Sequence, residues 1–207
     1  MAVEEGAEEA PGCDGPSEEG TVTKETEGGG PGEPIFLETK SAWDGVSKIN
    51  SLEACNGVTK CRGVIFAPDR PSILNSFSFH LRLTRGNCVA FKPIVAVWDP
   101  EITRATTILF AGEAMHADEK EAFQEITCSL PPEAQIPAGE ERPLMIGFWS
   151  EECTDFRSAS AEMAQIPGLI ADPPIKASVY LNGKMLSGTW RQYDSTLVGS
   201  VRYTPVS

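Results

Sequence analysis

This 207-residue sequence lacks most of the motifs that identify a function directly. No apolar run approaches the ~18 residues of a membrane span, so no membrane-spanning segment is expected. The chain has no Gly-x-Ser-x-Gly, no Cys-x-x-Cys and only two histidines, which argues against a serine-hydrolase nucleophile and a zinc centre. Clusters of Lys and Arg are also missing, so we expect no nucleic-acid binding. These absences favour a non-enzymatic protein.

The negative charge of the chain is concentrated at its N-terminal end. Residues 1–34 hold ten acidic residues and one lysine, and they carry −9 of the formal net charge of −13. The same segment contains eight glycines, four prolines and almost no large apolar side chain. Such a composition buries too little surface to offset the entropy lost on ordering. We therefore predict a disordered acidic tail over 1–34 and a folded domain over 35–207.

Most of the folded part alternates between apolar and polar residues, as half-buried strands do. The clearest example runs from Ile73 to Trp98 and predicts two strands joined at Arg85–Asn87. In the first strand Phe77 and Phe79 share the apolar face, and His80 falls on the polar face. His80 is therefore expected at the surface rather than as a catalytic base.

The spacing of strands and turns predicts the fold class. Eight to ten strands separated by turn signals, with almost no helical periodicity, indicate an all-β protein. We predict an antiparallel two-sheet sandwich of jelly-roll type, with a barrel as the main alternative. Asn182-Gly183 predicts a hairpin turn. Residues 151–174 are predicted to be irregular, with at most one helical turn near Ala159–Gln165.

Four short segments resemble one known type of β-sandwich. They are Ser76–Phe79, Val97–Asp99, Tyr180–Gly183 and Val201–Thr204. In order and spacing over about residues 63–204, they resemble modules of bacterial surface proteins of the PEP-CTERM type. The resemblance implies a β-sandwich and no defined activity. The sequence shows neither the sorting tail of that family nor a secretory signal, so the compartment stays open.

The six cysteines leave the redox state open. Cys55 and Cys61 flank an Asn-Gly turn, so a bridge between them is one expectation for an oxidising compartment. The alternative is that the cysteines are mostly free, buried thiols.

One aromatic segment suggests carbohydrate binding. Exposed aromatic rings stack on sugars, and nearby polar groups bind sugar hydroxyls. Trp190, Arg191, Tyr193 and Asp194 have this composition, and Trp98 is a further candidate ring at a strand end. The alternative is that the tryptophans close the ends of the core.

We expect no cofactor, and the one alternative is a calcium ion held by loop carboxylates. Asp99, Glu101 and Asp172 are the candidate ligands, because calcium prefers oxygen donors in loops. Paired loop acids such as Asp99 with Glu101 are also what a glycoside hydrolase needs, but solubility explains them equally well.

Three functional hypotheses follow. The first is a non-enzymatic interaction module, a structural or accessory subunit that binds other proteins. The second is a carbohydrate-binding module, which requires Trp190 and Tyr193 exposed on one face. The third is a hydrolase on a jelly-roll scaffold, which requires two carboxylates facing each other across a cleft.

Overall fold

A computed structural model of the chain describes residues 32–54, 60–150, 159–168, 174–183 and 186–206. Two β-sheets pack face to face. Within each sheet, every strand pairing that the structure describes is antiparallel. The predicted all-β sandwich of jelly-roll type is therefore confirmed. Residues 1–31 of the acidic segment lie outside the described residues, so its disorder stays a prediction.

The described residues contain fifteen strands and two short 3-10 helices. The helices are Lys40–Ala42 and Pro132–Ala134. The first sheet contains β1 (Ile35–Glu38), β2 (Lys48–Ala54), β4 (Ser72–Arg85), β8 (Gln124–Ser129), β9 (Ile136–Ala138), β11 (Ala159–Pro167), β14 (Ser195–Leu197) and β15 (Gly199–Pro205). The second sheet contains β3 (Lys60–Phe66), β5 (Val89–Asp99), β6 (Arg104–Ala111), β7 (Met115–Ala117), β10 (Leu144–Ser150), β12 (Ile175–Asn182) and β13 (Thr189–Tyr193).

The two long strands predicted from Ile73 to Trp98 are present as β4 and β5. They do not pair with each other, because the turn at residues 86–88 carries the chain from the first sheet to the second. Strand β4 is the centre of its sheet and pairs with β15 and β11 as well as with β8 and β9. The odd-numbered side chains of β4 from Phe77 to Leu83 therefore point towards the second sheet.

A cluster of phenylalanines joins the sheets. The ring of Phe148 on β10 lies 4.7 Å from that of Phe91, 5.5 Å from that of Phe79 and 6.0 Å from that of Phe77. All four side chains are at most 2% exposed. The predicted inward face of β4 is confirmed, and the core lies where both sheets contribute aromatic rings.

The second sheet also buries much of its outer face. Its edge strands β6 and β13 contact each other, and the Arg104 guanidinium donates a hydrogen bond to the Leu186 carbonyl at 2.6 Å. The curled sheet encloses a second apolar cluster that includes Met145, Trp98 and Trp190. Two glycines of this sheet, Gly63 and Gly147, face each other on β3 and β10, where the strands approach too closely for a side chain. A Cβ at Gly147 would lie 2.4 Å from the Arg62 carbonyl oxygen.

One element differs from the sequence-based expectation. Ala159–Pro167, which lie within the segment predicted as irregular with one helical turn, form strand β11, which pairs with β4 on one side and with β2 on the other. Its Ala-rich sequence favours a helix locally. Pairing on both edges and the burial of Ala161 and Met163 override that preference.

Among the residues that the structure describes, no helix has the length and apolar character that crossing a bilayer requires.

Truncating the aromatic core should destabilise the protein strongly. We expect Phe79→Ala to lower the free energy of unfolding by about 3–5 kcal/mol, because it leaves a cavity between the sheets. Ile102→Ala is the control, since Ile102 is 56% exposed. Urea denaturation of both variants tests this, and equal midpoints would contradict the assigned core.

The glycine pair should be equally sensitive. Gly147→Ala places a methyl group against the backbone of β3, so we expect a loss of about 2 kcal/mol or more in the free energy of unfolding. Gly139→Ala is the matched control, because its nearest neighbour, Pro71 Cα, lies 3.9 Å away. Denaturant titrations compare the two variants. A Gly147→Ala protein as stable as the control would contradict the close approach of the β3 and β10 backbones at this pair.

Candidate functional site

The outer face of the first sheet carries a groove that we call the His80 groove. Its volume is about 450 Å³. Strand β4 forms its base, and the segments around Trp43 and Phe123 form its walls. Its lining includes the side chains of Lys40, Trp43, Lys48, His80, Arg82, Glu121 and Phe123.

Two half-buried aromatic rings form one end of the groove. Trp43 and Phe123 meet edge to face, with ring centroids 5.3 Å apart and an interplanar angle of 83°. The indole N–H of Trp43 donates to the Ser47 carbonyl at 2.8 Å, which fixes the ring. The Arg82 guanidinium carbon lies 4.7 Å from the centre of the Phe123 ring. The rings are thus held in place while part of their apolar surface stays accessible.

A network of charges crosses the base of the groove. Glu162 on β11 accepts a hydrogen bond from Arg82 at 2.9 Å and forms an ion pair with Lys48 at 3.2 Å. Exposed Lys40 has no ion-pair partner among the residues described. Glu121 also lines the groove, and Glu125 and Glu38 act electrostatically on His80, so the charges around the groove are mixed.

His80 lies beneath this groove and is only 3% exposed. The expectation that His80 is a surface residue is therefore wrong. The 3-10 helix before Trp43, together with Phe123, packs over the outer face against Ala164 and Val198 and covers the strand. Burial lowers the pKa of the His80 imidazole; Lys40 adds to this effect, and Glu125 and Glu38 oppose it.

The Nδ1 atom of His80 has no hydrogen-bond partner within the described residues. A buried polar atom left unpaired costs about 1–3 kcal/mol, so such atoms often mark a place where something else binds. The ring that carries this atom lies under the groove.

Ser78 and Glu125 lie beside His80 but do not form a catalytic relay with it. The Ser78 hydroxyl donates to Glu125 at 2.5 Å and contacts the Ser200 hydroxyl at 2.7 Å. A Ser nucleophile needs a hydrogen bond to its base and access to substrate. Ser78 is fully buried, and its recorded contacts go to other groups. The cluster ties β4 to β8 and β15 and is structural.

The candidate glycan residues are divided between two faces of β13. Trp190 and Trp98 pack edge to face at 5.6 Å inside the curled second sheet, and they are 9% and 2% exposed. The expectation that they form an exposed stacking platform does not fit this placement, because the curl encloses both rings. Neither ring face is available to a sugar.

Arg191 and Tyr193 lie on the opposite face of β13 from Trp190, and Asp194 follows the strand. Arg191 and Asp194 are exposed, and Tyr193 is half-buried. The Tyr193 and Tyr180 rings enclose the buried Arg62 guanidinium, with centroids 5.1 Å and 4.5 Å from its central carbon. Tyr193 is thereby committed to a structural contact. Carbohydrate binding at this strand stays a prediction.

Of the candidate calcium ligands, the structure describes Asp99 and Glu101. Asp99 uses Oδ1 to accept hydrogen bonds from the backbone N–H groups of Glu101 and Ile102, at 2.9 and 3.3 Å. Glu101 is exposed on the same turn, and Asp172 lies outside the described residues. Within the described ranges, no group of three or more His, Cys, Asp or Glu is placed to hold a metal ion.

The described cysteines are free thiols. Cys61 and Cys128 are buried and Cys88 is exposed. Burial raises the pKa of the Cys61 thiol far above its usual range and that of Cys128 to about 11, so both are inert at neutral pH. Cys55 lies outside the described residues. Cys61 is free in this structure, so a bridge between Cys55 and Cys61 stays a prediction for an oxidising compartment only.

Comparison with known proteins gives no family. No family model and no curated protein matches the chain. Two solved structures are distantly similar. The clostridial cysteine protease Cwp84 after propeptide cleavage has a TM-score of 0.39 and 13% identity, with 79% of this chain covered and 38% of the other. The Gx strain of infectious bursal disease virus has a TM-score of 0.31 and 12% identity, with coverages of 84% and 41%.

This chain therefore spans about two fifths of the length of each solved structure it matches. At these TM-scores, the similarity gives no information about the activity or partners of this chain.

Sequence reasoning missed the groove because its parts are far apart along the chain. Trp43 and Phe123 stand in loops 80 residues apart, and only the packing of the first sheet brings them to His80. The available signal was weak. It consisted of two aromatic residues outside strands, together with the one histidine on a polar strand face.

The burial of His80 predicts how stability depends on pH. The unfolded imidazole has a pKa of 6.5, whereas the folded one is lower. As the pH falls through 6.5, the unfolded chain binds the proton first, so the free energy of unfolding decreases. When the pH is lowered from about 7.5 to about 5, we expect the free energy of unfolding to decrease less in His80→Gln than in the wild type. Urea titrations at each pH test this.

The control for this experiment is His116→Gln, since His116 is exposed in β7. It should follow the wild-type pH dependence. If His80→Gln and the wild type lost stability in parallel, His80 would not be the buried group responsible.

Proposed function

We propose that this protein is a non-enzymatic interaction module that binds an extended segment of a protein partner in the His80 groove. The observation that carries the proposal is the groove itself, in which Lys40 and the half-buried rings of Trp43 and Phe123 lie over the buried His80 ring. Protein partners commonly supply such a groove with one apolar anchor and one polar group. A structural or accessory role in a larger assembly fits this mode of binding.

The chemistry of the groove indicates what the segment should contain. The edges of Trp43 and Phe123 offer contacts to a large apolar side chain. Lys40, which lacks an ion-pair partner among the described residues, offers a charge-assisted hydrogen bond to a carboxylate. We infer a binding motif in which an acidic residue stands close to an aromatic or aliphatic residue.

Carbohydrate binding is the second candidate. It is supported by exposed polar groups at Arg191 and Asp194 and by the half-buried rings of Trp43 and Phe123. At the predicted position, however, the Trp190 ring is buried and offers no flat, exposed surface to a sugar. An oligosaccharide array on the full-length protein distinguishes the two, because the protein-binding proposal expects no glycan signal that depends on Lys40 or Trp43.

Selection from a random peptide display library tests the protein-binding proposal. Full-length wild-type protein should select peptides that pair an acidic with an apolar residue. The tightest peptide should bind Lys40→Glu about tenfold more weakly, a change of ~1.4 kcal/mol. The readout is quenching of tryptophan fluorescence in a titration, because Trp43 lines the groove.

Lys176→Glu is the matched control. Lys176 is exposed on β12 in the other sheet, so the variant changes the net charge equally without touching the groove. It should bind the peptide as the wild type does. A selection without such a motif, or equal losses for the two variants, would refute the proposal.

A further inference from the structure

Residues 40–46 cross the outer face of β4 as a short segment that we call the flap. Both of its ends are tied to the first sheet. At one end the backbone N–H of Thr39 donates to the Gly199 carbonyl at 2.9 Å, and Thr39 is only 1% exposed. At the other end the Ser47 carbonyl accepts a hydrogen bond from the Gln165 N–H at 3.0 Å. The flap therefore has a fixed point on each side.

Between these points, the flap forms several hydrogen bonds within itself and with its own hinge. The backbone N–H of Trp43 donates to the Lys40 carbonyl, and its indole N–H donates to the Ser47 carbonyl. The Asp44 carboxylate accepts a hydrogen bond from the Ser47 N–H at 2.6 Å. Ala42 and Trp43 are half-buried and pack on the sheet through apolar contacts. Opening the flap would mainly lose this packing.

His80 is a titratable group that the flap helps to cover. Its ring is 3% exposed, and its Nδ1 has no hydrogen-bond partner within the described residues. In the imidazolium form, Nδ1 carries an N–H that the closed fold leaves without an acceptor. Burying a charge with an unpaired donor is costly, whereas water that reaches the ring would solvate both. Protonation of His80 therefore favours a conformation in which its cover is open.

The charges that face His80 come from three elements. Glu125 lies opposite it on β8, and this carboxylate and that of Glu38 on β1 favour the proton. Lys40, on the flap, opposes it. Burial outweighs the two carboxylates, so the pKa of the imidazole is lowered. The other charged side chains around the groove are Lys48 and Arg82, which pair with Glu162, and Glu121.

We propose that protonation of His80 opens the flap, which is then an acid-sensitive cover on the outer face of β4. Opening admits water to the imidazolium and also moves the like charge of Lys40 away from it. The proton comes from solvent and returns to it when the flap closes. This device goes beyond the proposed function and does not depend on it, because it concerns the free protein.

The direction of the pH dependence follows from the two states of the ring. In the open state the imidazole has the ordinary pKa of 6.5, and in the closed state its pKa is lower. Acid therefore shifts the equilibrium towards the open state, by at most about tenfold per pH unit between the two pKa values. Asp44 on the flap does not titrate in this range, because hydrogen bonds from Ser47 lower its pKa further.

Fluorine NMR of the full-length protein labelled with fluorotryptophan tests the proposal. Trp43 lies on the flap, whereas Trp98 and Trp190 are buried in the second sheet. Trp43→Phe assigns the flap signal. When the pH is lowered from about 7.5 to about 5, we expect the Trp43 signal to change with a midpoint below about 6.5, while the signals of Trp98 and Trp190 stay constant.

Two variants connect this change to His80. In His80→Gln the Trp43 signal should not depend on pH over the same range. In Lys40→Gln the closed imidazole loses a like charge and binds its proton more readily, so the change at the lowest pH should be smaller than in the wild type. Lys40 is exposed, so this variant should fold even if His80→Gln does not.

Matched controls remove one charge or one histidine elsewhere. Lys176→Gln, on the other sheet, and His116→Gln, on β7, should both show the wild-type change, because each residue is exposed and lies outside the groove lining.

The outcomes decide the proposal. A Trp43 signal that does not change with pH, or that changes in His80→Gln as in the wild type, would overturn it. So would a Lys40→Gln protein that matches Lys176→Gln. If the signals of Trp98 and Trp190 move together with that of Trp43, acid unfolds the whole domain and the flap does not open by itself. None of these results affects the proposed function, whose test is the peptide affinity of Lys40→Glu.

Discussion

The packing of Phe148 against Phe77, Phe79 and Phe91 is the interaction on which the rest of the structure depends. It joins the central strand of the first sheet to the second sheet, at centroid distances of 4.7–6.0 Å. Because side chains alternate along a strand, fixing Phe79 towards the core also fixes His80 towards the outer face. The same strand, β4, thus provides the centre of the core and the base of the groove. The candidate site is the outer face of β4, a strand that pairs with four other strands of its sheet.

The parts of the fold that depend on local alternation could be predicted from the sequence. The inward face of β4 and the turn at Gly183, whose φ is +110°, follow from residue pattern and turn chemistry. Strand β11 could not be predicted, because its alanines favour a helix until β2 and β4 pair with both of its edges. The burial of Trp98 and Trp190 could not be predicted either. It follows from the contact between the edge strands β6 and β13, which local alternation does not reveal.

The groove differs from the sites suggested by composition because it combines residues from separate loops and strands. Each member has a modest local role, such as the Trp43 indole bonded to Ser47 or Arg82 bonded to Glu162. Together they form one groove in which a lysine and an aromatic wall lie over a buried histidine ring. The neighbouring Ser78 and Glu125 side chains are hydrogen-bonded to each other.

The central claim is that binding occurs on the outer face of β4. Backbone chemical-shift mapping of the full-length protein with the selected acidic–apolar peptide tests it most directly. The account predicts that the largest shifts fall on residues 40–48, 80–82 and 121–123, which surround the groove. Shifts that centre instead on residues 191–194, or that spread evenly over both sheets, would contradict it.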